Sequence, residues 1–268
     1  MGAMLVAQIT DTHIGEPGSK VDRVYRTAEH LARAIAHLNA LPRRPDAVLA
    51  TGDLVDLGSS AEYARLRELL APLAAPLFVI PGNHDARPAL RAAFADHRYL
   101  PAEGFLQYTI EHLPVRFVCL DTLVPGEIGG ALCAERLDWL DRRLAEQPDR
   151  PTVVVMHHPP IRTGISRMDR WGLDGADAFG AVIARHRQVA RVLCGHLHRP
   201  VTTHWQGTLV QACPATAHQI ALELEGESLA TVMEPPACLL HLWDAASGLV
   251  SHTSYIGDYG PLMPVGGK

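Results

Sequence analysis

Five polar clusters concentrate the chemistry this sequence offers: Asp11-Thr12-His13, Gly52-Asp53, Gly82-Asn83-His84-Asp85, His157-His158-Pro159-Pro160 and Gly195-His196-Leu197-His198. Each follows an apolar run with the look of a buried strand. A lone Asp or His at a strand end is usually a turn former or a helix cap. Five such ends in succession, bordered by glycine or proline, are hard to assign to turn chemistry one by one. In open α/β sheets the loops beyond the carboxyl ends of the strands converge on one place, which would bring these ligands together. Ligand type then narrows the chemistry. Imidazoles, carboxylates and an amide oxygen, with no cysteine, suit divalent Fe, Mn, Co or Zn better than a thiolate zinc site, and the imidazoles disfavour Ca or Mg. Seven candidate ligands exceed one tetrahedral site. They fit two ions about 3.5–4 Å apart that share a bridging carboxylate, an arrangement suited to in-line displacement at phosphorus.

The elements that must position these clusters are readable from the apolar pattern. Runs at 4–9, 47–50, 77–80, 116–120, 152–156 and 190–194 lack strict alternation, as strands buried on both faces do. Between them lie helical periods. Leu31, Ile35 and Leu38 share one face, and Ser59 with Glu62 has the spacing of a capping box ahead of Tyr63, Leu66, Leu69 and Leu70. Leu137, Leu140 and Leu144 mark a third helix, Phe179, Val182 and Ile183 a fourth. Strands alternating with helices predict an α/β protein with a largely parallel central sheet. Beyond about residue 200 the pattern changes to antiparallel strands at 209–213, 218–224, 237–243 and 249–254. The expected organisation is a core over 1–203 that carries the metal site and a β-rich segment over 204–259 that completes a second sheet. That segment would carry a projecting hairpin at 226–236, exposing Leu229, Val232, Met233 and Cys238-Leu239-Leu240, and an irregular tail would follow over 260–268.

Composition sets the outer bounds. A chain of 268 residues, 47% hydrophobic, is long enough for a full core. The formal net charge of −5, with no Lys/Arg-rich segment, argues against a long nucleic-acid partner. No stretch approaches the roughly 20 apolar residues of a membrane helix, so no membrane partner and a cytoplasmic location are expected. Five scattered cysteines without a CxxC pair read as buried free thiols. The 15 histidines are the oddity, because several gather in the polar clusters described above.

The motifs DxH (Asp11, His13), GDxxD (Gly52, Asp53, Asp56), GNHD (82–85), the pair His157-His158 and GHLH (195–198) resemble those of the calcineurin-like metallophosphoesterases, in the same order. RPDAVLATGDLVD, HHPP, PATAHQ at 214–219 and PPACLLH are similar to the class III cyclic-nucleotide and, more closely, the glycerophosphodiester phosphodiesterase branches. The resemblance implies a four-layer α/β/β/α sandwich of two mixed sheets flanked by helices, with a β-rich carboxyl-terminal extension. It implies that Asp11, His13 and His198 hold one divalent ion, that Asn83, His157 and His196 hold the other, and that Asp53 bridges. His84, positioned by Asp85, would face the phosphate or leaving group, and His218 would stand near the active site. His158 would lie behind the ligands, since neighbours on a strand end point in opposite directions. Asp56 departs from the Asn expected in the closest glycerophosphodiesterase relatives.

The activity implied is hydrolysis of small phosphodiesters, either glycerophosphodiesters or 3',5'-cyclic nucleotides, by metal-activated hydroxide attacking phosphorus. No GxSxG nucleophile motif is present. A phosphomonoesterase or protein phosphatase on the same scaffold is the enzymatic alternative, and Arg87 or Arg162 would then fold inward as a clamp. A non-catalytic binding scaffold is the alternative from another class. The resemblance also implies a homo-oligomer, dimer or higher, formed through the β-rich extension.

Overall fold

Strands form where apolar side chains at successive positions find packing partners on both faces of a sheet. The structure, a computed structural model, describes residues 3–226, 228–261, 263 and 265. The first sheet contains β1 (Met4–Ile9), β2 (Ala47–Thr51) and β3 (Leu77–Ile80), mutually parallel. The second contains β4 (Tyr108–Ile110), β5 (Arg116–Cys119), β7 (Thr152–Val155), β9 (Val189–Cys194), β10 (Val201–Trp205) and β11 (Thr208–Ala212). There β5, β7, β9 and β11 run parallel, while β4 and β10 are antiparallel edges, in the order β10-β11-β9-β7-β5-β4. Two short pairs stand apart: β6 (Gly130–Ala131) with β8 (Leu173–Asp174), and β12 (Gln219–Ile220) with β13 (Thr231–Val232). The chain ends by returning to the first sheet, where β14 (Ala237–Asp244) pairs antiparallel with β1 and carries β15 (Gly248–Tyr255) on the outer edge.

Side-chain alternation builds four layers. From β1, Ala7 and Ile9 pack on α1 (Thr27–Asn39), α2 (Ser60–Leu70) and α3 (Arg87–Ala93) through Leu31, Ile35, Tyr63, Leu66 and Leu90. Met4 and Val6 point the other way and meet Phe117, Val153 and Val155 between the sheets. Val118, Val154 and Val192 leave the far face of the second sheet to pack on α4 (Ala134–Ala145) and α6 (Ala176–Arg185), beside the short α5 (Ser166–Asp169). The result is the α/β/β/α sandwich of two mixed sheets. The capping box of α2 is complete: Ser59 Oγ accepts from Glu62 N at 3.2 Å and Glu62 Oε2 accepts from Ser59 N at 3.1 Å, worth about 1 kcal/mol.

Several expectations change. The largely parallel central sheet read from the apolar pattern is two mixed sheets, as the resemblance implied: antiparallel β4 and β10 cover both edges of the second, and β14 and β15 extend one edge of the first. β10 escaped the sequence because it is a half-exposed edge that carries the polar Thr202, Thr203 and His204, and β4 because it is only three residues long. The boundary expected between 203 and 204 falls inside β10. The segment 204–259 does not complete one sheet: β11 joins the second, while β14 and β15 extend the first. Cys238 and Leu239 are consequently buried in β14 against β1, not exposed on an extension. The hairpin starts earlier than 226, at β12, and the strand expected over 218–224 pairs at two residues only. Cys133 is exposed, unlike the other four cysteines. The tail expected at 260–268 is described only at 260, 261, 263 and 265. No helix among the described residues is long and apolar enough to cross a membrane.

Candidate metal centre

Parallel register brings the clusters to one edge of the molecule. Ile9 lies beside Ala50, Thr51 beside Ile80 and Val155 beside Leu193, so the loops that follow emerge together. The backbone there is strained. Seven non-glycine described residues have positive φ, and five of them are Asp11 (51°), His13 (42°), Asp53 (49°), His196 (68°) and His198 (47°). Left-handed backbone costs about 1–2 kcal/mol per residue, and it persists here because hydrogen bonds over-determine the loops. Asp11 N donates to Gly52 O (3.0 Å) and His13 N to Asp53 O (2.9 Å). Glycine permits the close approach: a Cβ at Gly82 would collide with Asp53 Oδ1, and one at Gly52 with His157 Nδ1.

The side chains fall into two groups that meet at Asp53. In the first, one ligand atom each from Asp11, His13, Asp53 and His198 lies within 4.8 Å of the others, all four residues buried. His13 Nε2 and His198 Nε2 are 3.0 Å apart, and His198 Nε2 is 3.2 Å from Asp11 Oδ1. In the second, Asn83 Oδ1 stands 3.2 Å from His157 Nε2 and 3.1 Å from His196 Nδ1. Asp53 Oδ2 sits between the groups, 3.4 Å from His157 Nε2 and 3.7 Å from His13 Nε2.

Tautomers follow from main-chain acceptors. A carbonyl oxygen can only accept, so the ring nitrogen facing it carries the proton. His157 Nδ1 thus donates to Thr51 O (2.8 Å), His196 Nε2 to Trp171 O (3.0 Å) and His198 Nδ1 to His218 O (3.0 Å). In all three rings the other nitrogen faces the cluster, ready to act as a ligand, which is the usual arrangement behind metal-bound histidine. His158 differs. It lies within ligand range of His157 and His196, but its Nδ1 is 2.8 Å from Thr122 Oγ1 and its Nε2 donates to Ile128 O at 3.0 Å. Both nitrogens are engaged, so Asn83, not His158, completes the second group.

The cluster also fits cations electrostatically. Burial would raise the Asp11 carboxyl, but His198 and His157 hold it down at about 2. Burial would lower His157, yet Asp53 and Asp11 lift it to about 9. The two carboxylates therefore demand positive charge, which imidazole protons or bound cations can supply. The oxygen and nitrogen donors, without thiolate, suit divalent first-row ions.

A calcineurin-like phosphoesterase family model matches residues 4–200. The chain belongs to that family. It is 38% identical over 258 residues to a protein of Arcobacter nitrofigilis named as a probable glycerophosphodiester phosphodiesterase, GpdQ, covering 96% of this chain and 94% of the relative. It is 32% identical over 230 residues to the 3',5'-cyclic adenosine monophosphate phosphodiesterase CpdA of Escherichia coli K12, covering 85% and 81%. Among solved structures, a dimetal phosphatase from Danio rerio superposes with a TM-score of 0.63 at 16% identity, covering 95% of this chain and 99% of that one, a likeness of fold.

This phosphoesterase opens its centre to a cleft of about 400 Å³. His84 and His218 both line it. His84 Nδ1 donates to Asp56 O at 2.6 Å; burial disfavours its charge, but Asp53 and Asp56 outweigh that and raise its pKa. Asp85 does not orient it. The Asp85 carboxylate accepts from Gly82 N (2.8 Å), Leu54 N (3.1 Å) and Tyr63 Oη (2.7 Å), and the N-cap of α3 is Ala86, so Asp85 ties the loop from within. His218 is buried, and burial followed by the charges of His198 and His13 lowers its pKa to about 2. Asp56 also lines the cleft, with Oδ1 3.8 Å from Nδ1 of both His13 and His84. Arg87 does not fold inward: it grips Asp121 at 2.6 and 2.7 Å. The Arg162 side chain is 91% exposed. Sequence reasoning missed Lys20, Tyr25 and Trp171 on the cleft walls. No motif announces them, and only the folding of distant loops brings them there.

Proposed function

We propose that this chain is a dinuclear metal-dependent phosphodiesterase acting on small diesters, of the glycerophosphodiester or 3',5'-cyclic nucleotide kind. The observation that carries it is the single oxygen Asp53 Oδ2 placed between two sets of donors, 3.4 Å from His157 and 3.7 Å from His13. Asp11, His13 and His198 would hold one cation, Asn83, His157 and His196 the other, and Asp53 both. Bound there, divalent cations polarise phosphoryl oxygens and make water acidic enough to ionise near neutral pH. Fe, Mn, Co and Zn all suit the donor set.

The protein's own groups do the rest. Asp11 and Asp53 fix the negative charge that anchors the site. The raised pKa of His84 favours its protonated form, which suits a proton donor to a departing alkoxide. His218 offers a hydrogen bond to the bound phosphate. The cleft favours a diester over a monoester: Lys20 is its only Lys or Arg among the described residues, so no arginine clamps a dianion. The names of the GpdQ and CpdA relatives support the same class. A cytoplasmic location is part of the same proposal, and exposed apolar residues on the β12–β13 hairpin are in keeping with a homo-oligomer.

The test is turnover of glycerophosphoethanolamine, cyclic AMP, a bis-aryl phosphate diester and the matching monoester by the metal-loaded protein. Diesters should outrun the monoester, and Asp53→Ala and His196→Ala should each remove turnover. Activity surviving both changes overturns the reading.

A further inference from the structure

Two segments far apart in the sequence meet beside the metal centre. One is the π-helical turn Val21–Tyr25, which ends on Arg26 in left-handed backbone at φ 51°. The other is the β12–β13 hairpin. Tyr25 joins them. Its ring lies on the imidazole of His218, immediately before β12, with centroids 4.0 Å apart and planes 18° from parallel. Its hydroxyl lies 2.9 Å from Thr231 Oγ1 on β13. The turn itself is held: Arg65 donates to Gly15 O at 2.6 Å and to Asp22 Oδ1 at 2.8 Å, and Asp22 Oδ2 accepts from Gly18 N at 2.8 Å. π-helical geometry of this kind recurs at functional sites, where it re-aims a side chain that a regular helix would place elsewhere.

His218 is the group that needs such a hold. It is 6% exposed, lines the cleft, and has its ring 4.8 Å from that of His198 and 5.5 Å from that of His13. Its Nδ1 has no hydrogen-bond partner among the described residues. An unpaired buried nitrogen is costly, and it leaves the ring without a hydrogen bond at that atom to fix its plane. With that nitrogen unpaired, the flat contact with Tyr25 is what restrains the ring plane on this side. The Tyr25 hydroxyl pairs with Thr231 Oγ1, and the face of its ring, not the hydroxyl, meets His218, which gives Tyr25 a holding role.

We propose that Tyr25 is a positioning residue: by stacking on His218 and bonding Thr231, it clamps the His218 imidazole in the orientation that donates a hydrogen bond to a non-bridging oxygen of the phosphodiester. This rests on the phosphodiesterase reading above. Misplacement of a positioned group by about 1 Å can cost up to about 100-fold in rate, so loss of the stack should act on kcat more than on KM.

The experiment compares Tyr25→Leu, Tyr25→Phe, His218→Ala and the double change Tyr25→Leu/His218→Ala, using a bis-aryl phosphate diester and the zinc-loaded protein. Tyr25→Leu should lower kcat about tenfold with KM within about twofold. Tyr25→Phe keeps the stack and should stay within about threefold of the parent. In the His218→Ala background, Tyr25→Leu should cost nothing further. In parallel, the ring signals of His218 in nitrogen-15 histidine-labelled protein should lose their aromatic shift in Tyr25→Leu and keep it in Tyr25→Phe. An equal loss of kcat in both backgrounds, or His218 signals unchanged in Tyr25→Leu, overturns the proposal. If the parent protein turns over no diester, the functional reading fails instead, and the ring signals decide on the clamp alone.

Discussion

At the scale of single residues, the GNHD cluster separates into three roles that adjacency alone does not reveal. Asn83 presents a neutral oxygen to His157 and His196, whereas in the other group the carboxylate of Asp11 lies 3.2 Å from His198 and reaches His157 only at 4.0 Å. A cation beside Asn83 is therefore less compensated in charge and should bind more weakly. Titration calorimetry is expected to give two unequal dissociation constants, and Asn83→Ala should abolish the weaker event while leaving the tighter one. Equal constants in the parent protein would count against the assignment. Asp85 belongs to stability. It accepts two main-chain amides and the Tyr63 hydroxyl in a buried loop, and burial with the nearby Asp53 charge pushes its pKa up to about 6. Asp85→Ala leaves those donors unpaired at about 1–3 kcal/mol each, so denaturant unfolding should register a loss of about 3 kcal/mol or more. A stability unchanged within error would show that the loop does not depend on it.

At the scale of elements, β14 does more than cover an edge. Its His241 Nε2 donates to Gln8 Oε1 (3.2 Å) on β1, Gln8 Nε2 donates to Thr51 Oγ1 (2.9 Å) on β2, and the Thr51 carbonyl accepts from His157 (2.8 Å). Burial, and after it the charge of Arg191, lowers the His241 pKa to about 3, while the unfolded chain titrates near 6.5. Between those values the unfolded state binds the extra proton, so stability is full above about pH 6.5 and falls as pH drops, by about 1.4 kcal/mol per unit at the steep end. Unfolding free energies measured from pH 7 to pH 4.5 should fall less steeply in His241→Gln than in the parent. Identical slopes would place the proton elsewhere. The same elements mark what the sequence could and could not reveal. The strands at Met4–Ile9 and Leu77–Ile80 were legible to the residue because both their faces are buried and the apolar run is broken only once, by the buried Gln8. β4 and β10 were not, because an edge strand pairs its backbone without an unbroken apolar run. The metal-ligand candidates were legible because their types cluster at strand ends. The Tyr25 contact with Thr231 was not, because its partners are 206 positions apart and neither carries a motif.

At the scale of the whole molecule, the chain builds its metal centre from both sheets and then spends its last strands closing the first. That return path leaves the β12–β13 hairpin outside both sheets, joined to the body near the cleft by Tyr25 and by Arg199, which donates to Ile220 O at 2.7 Å. The hairpin carries Leu222 (60% exposed), Leu224 (58%), Leu229 (38%) and the adjoining Met233 (53%). Four large apolar side chains gathered on one projection are unlike the scattered exposure normal for a monomer, and they mark a surface that another copy can cover. A closed symmetric dimer buries the same patch twice. Sedimentation at micromolar concentration should therefore give a mass at least twice the 29.1 kDa of one chain. Leu222 and Leu224 lie outside the residues that line the cleft, so Leu222→Glu with Leu224→Glu should split the assembly while each chain keeps its metal ligands and its fold. A parent protein that sediments as a strict monomer refutes the interface, and an assembly that survives both glutamates moves it to another surface, with the eight-residue edge strand β15 the next place to look.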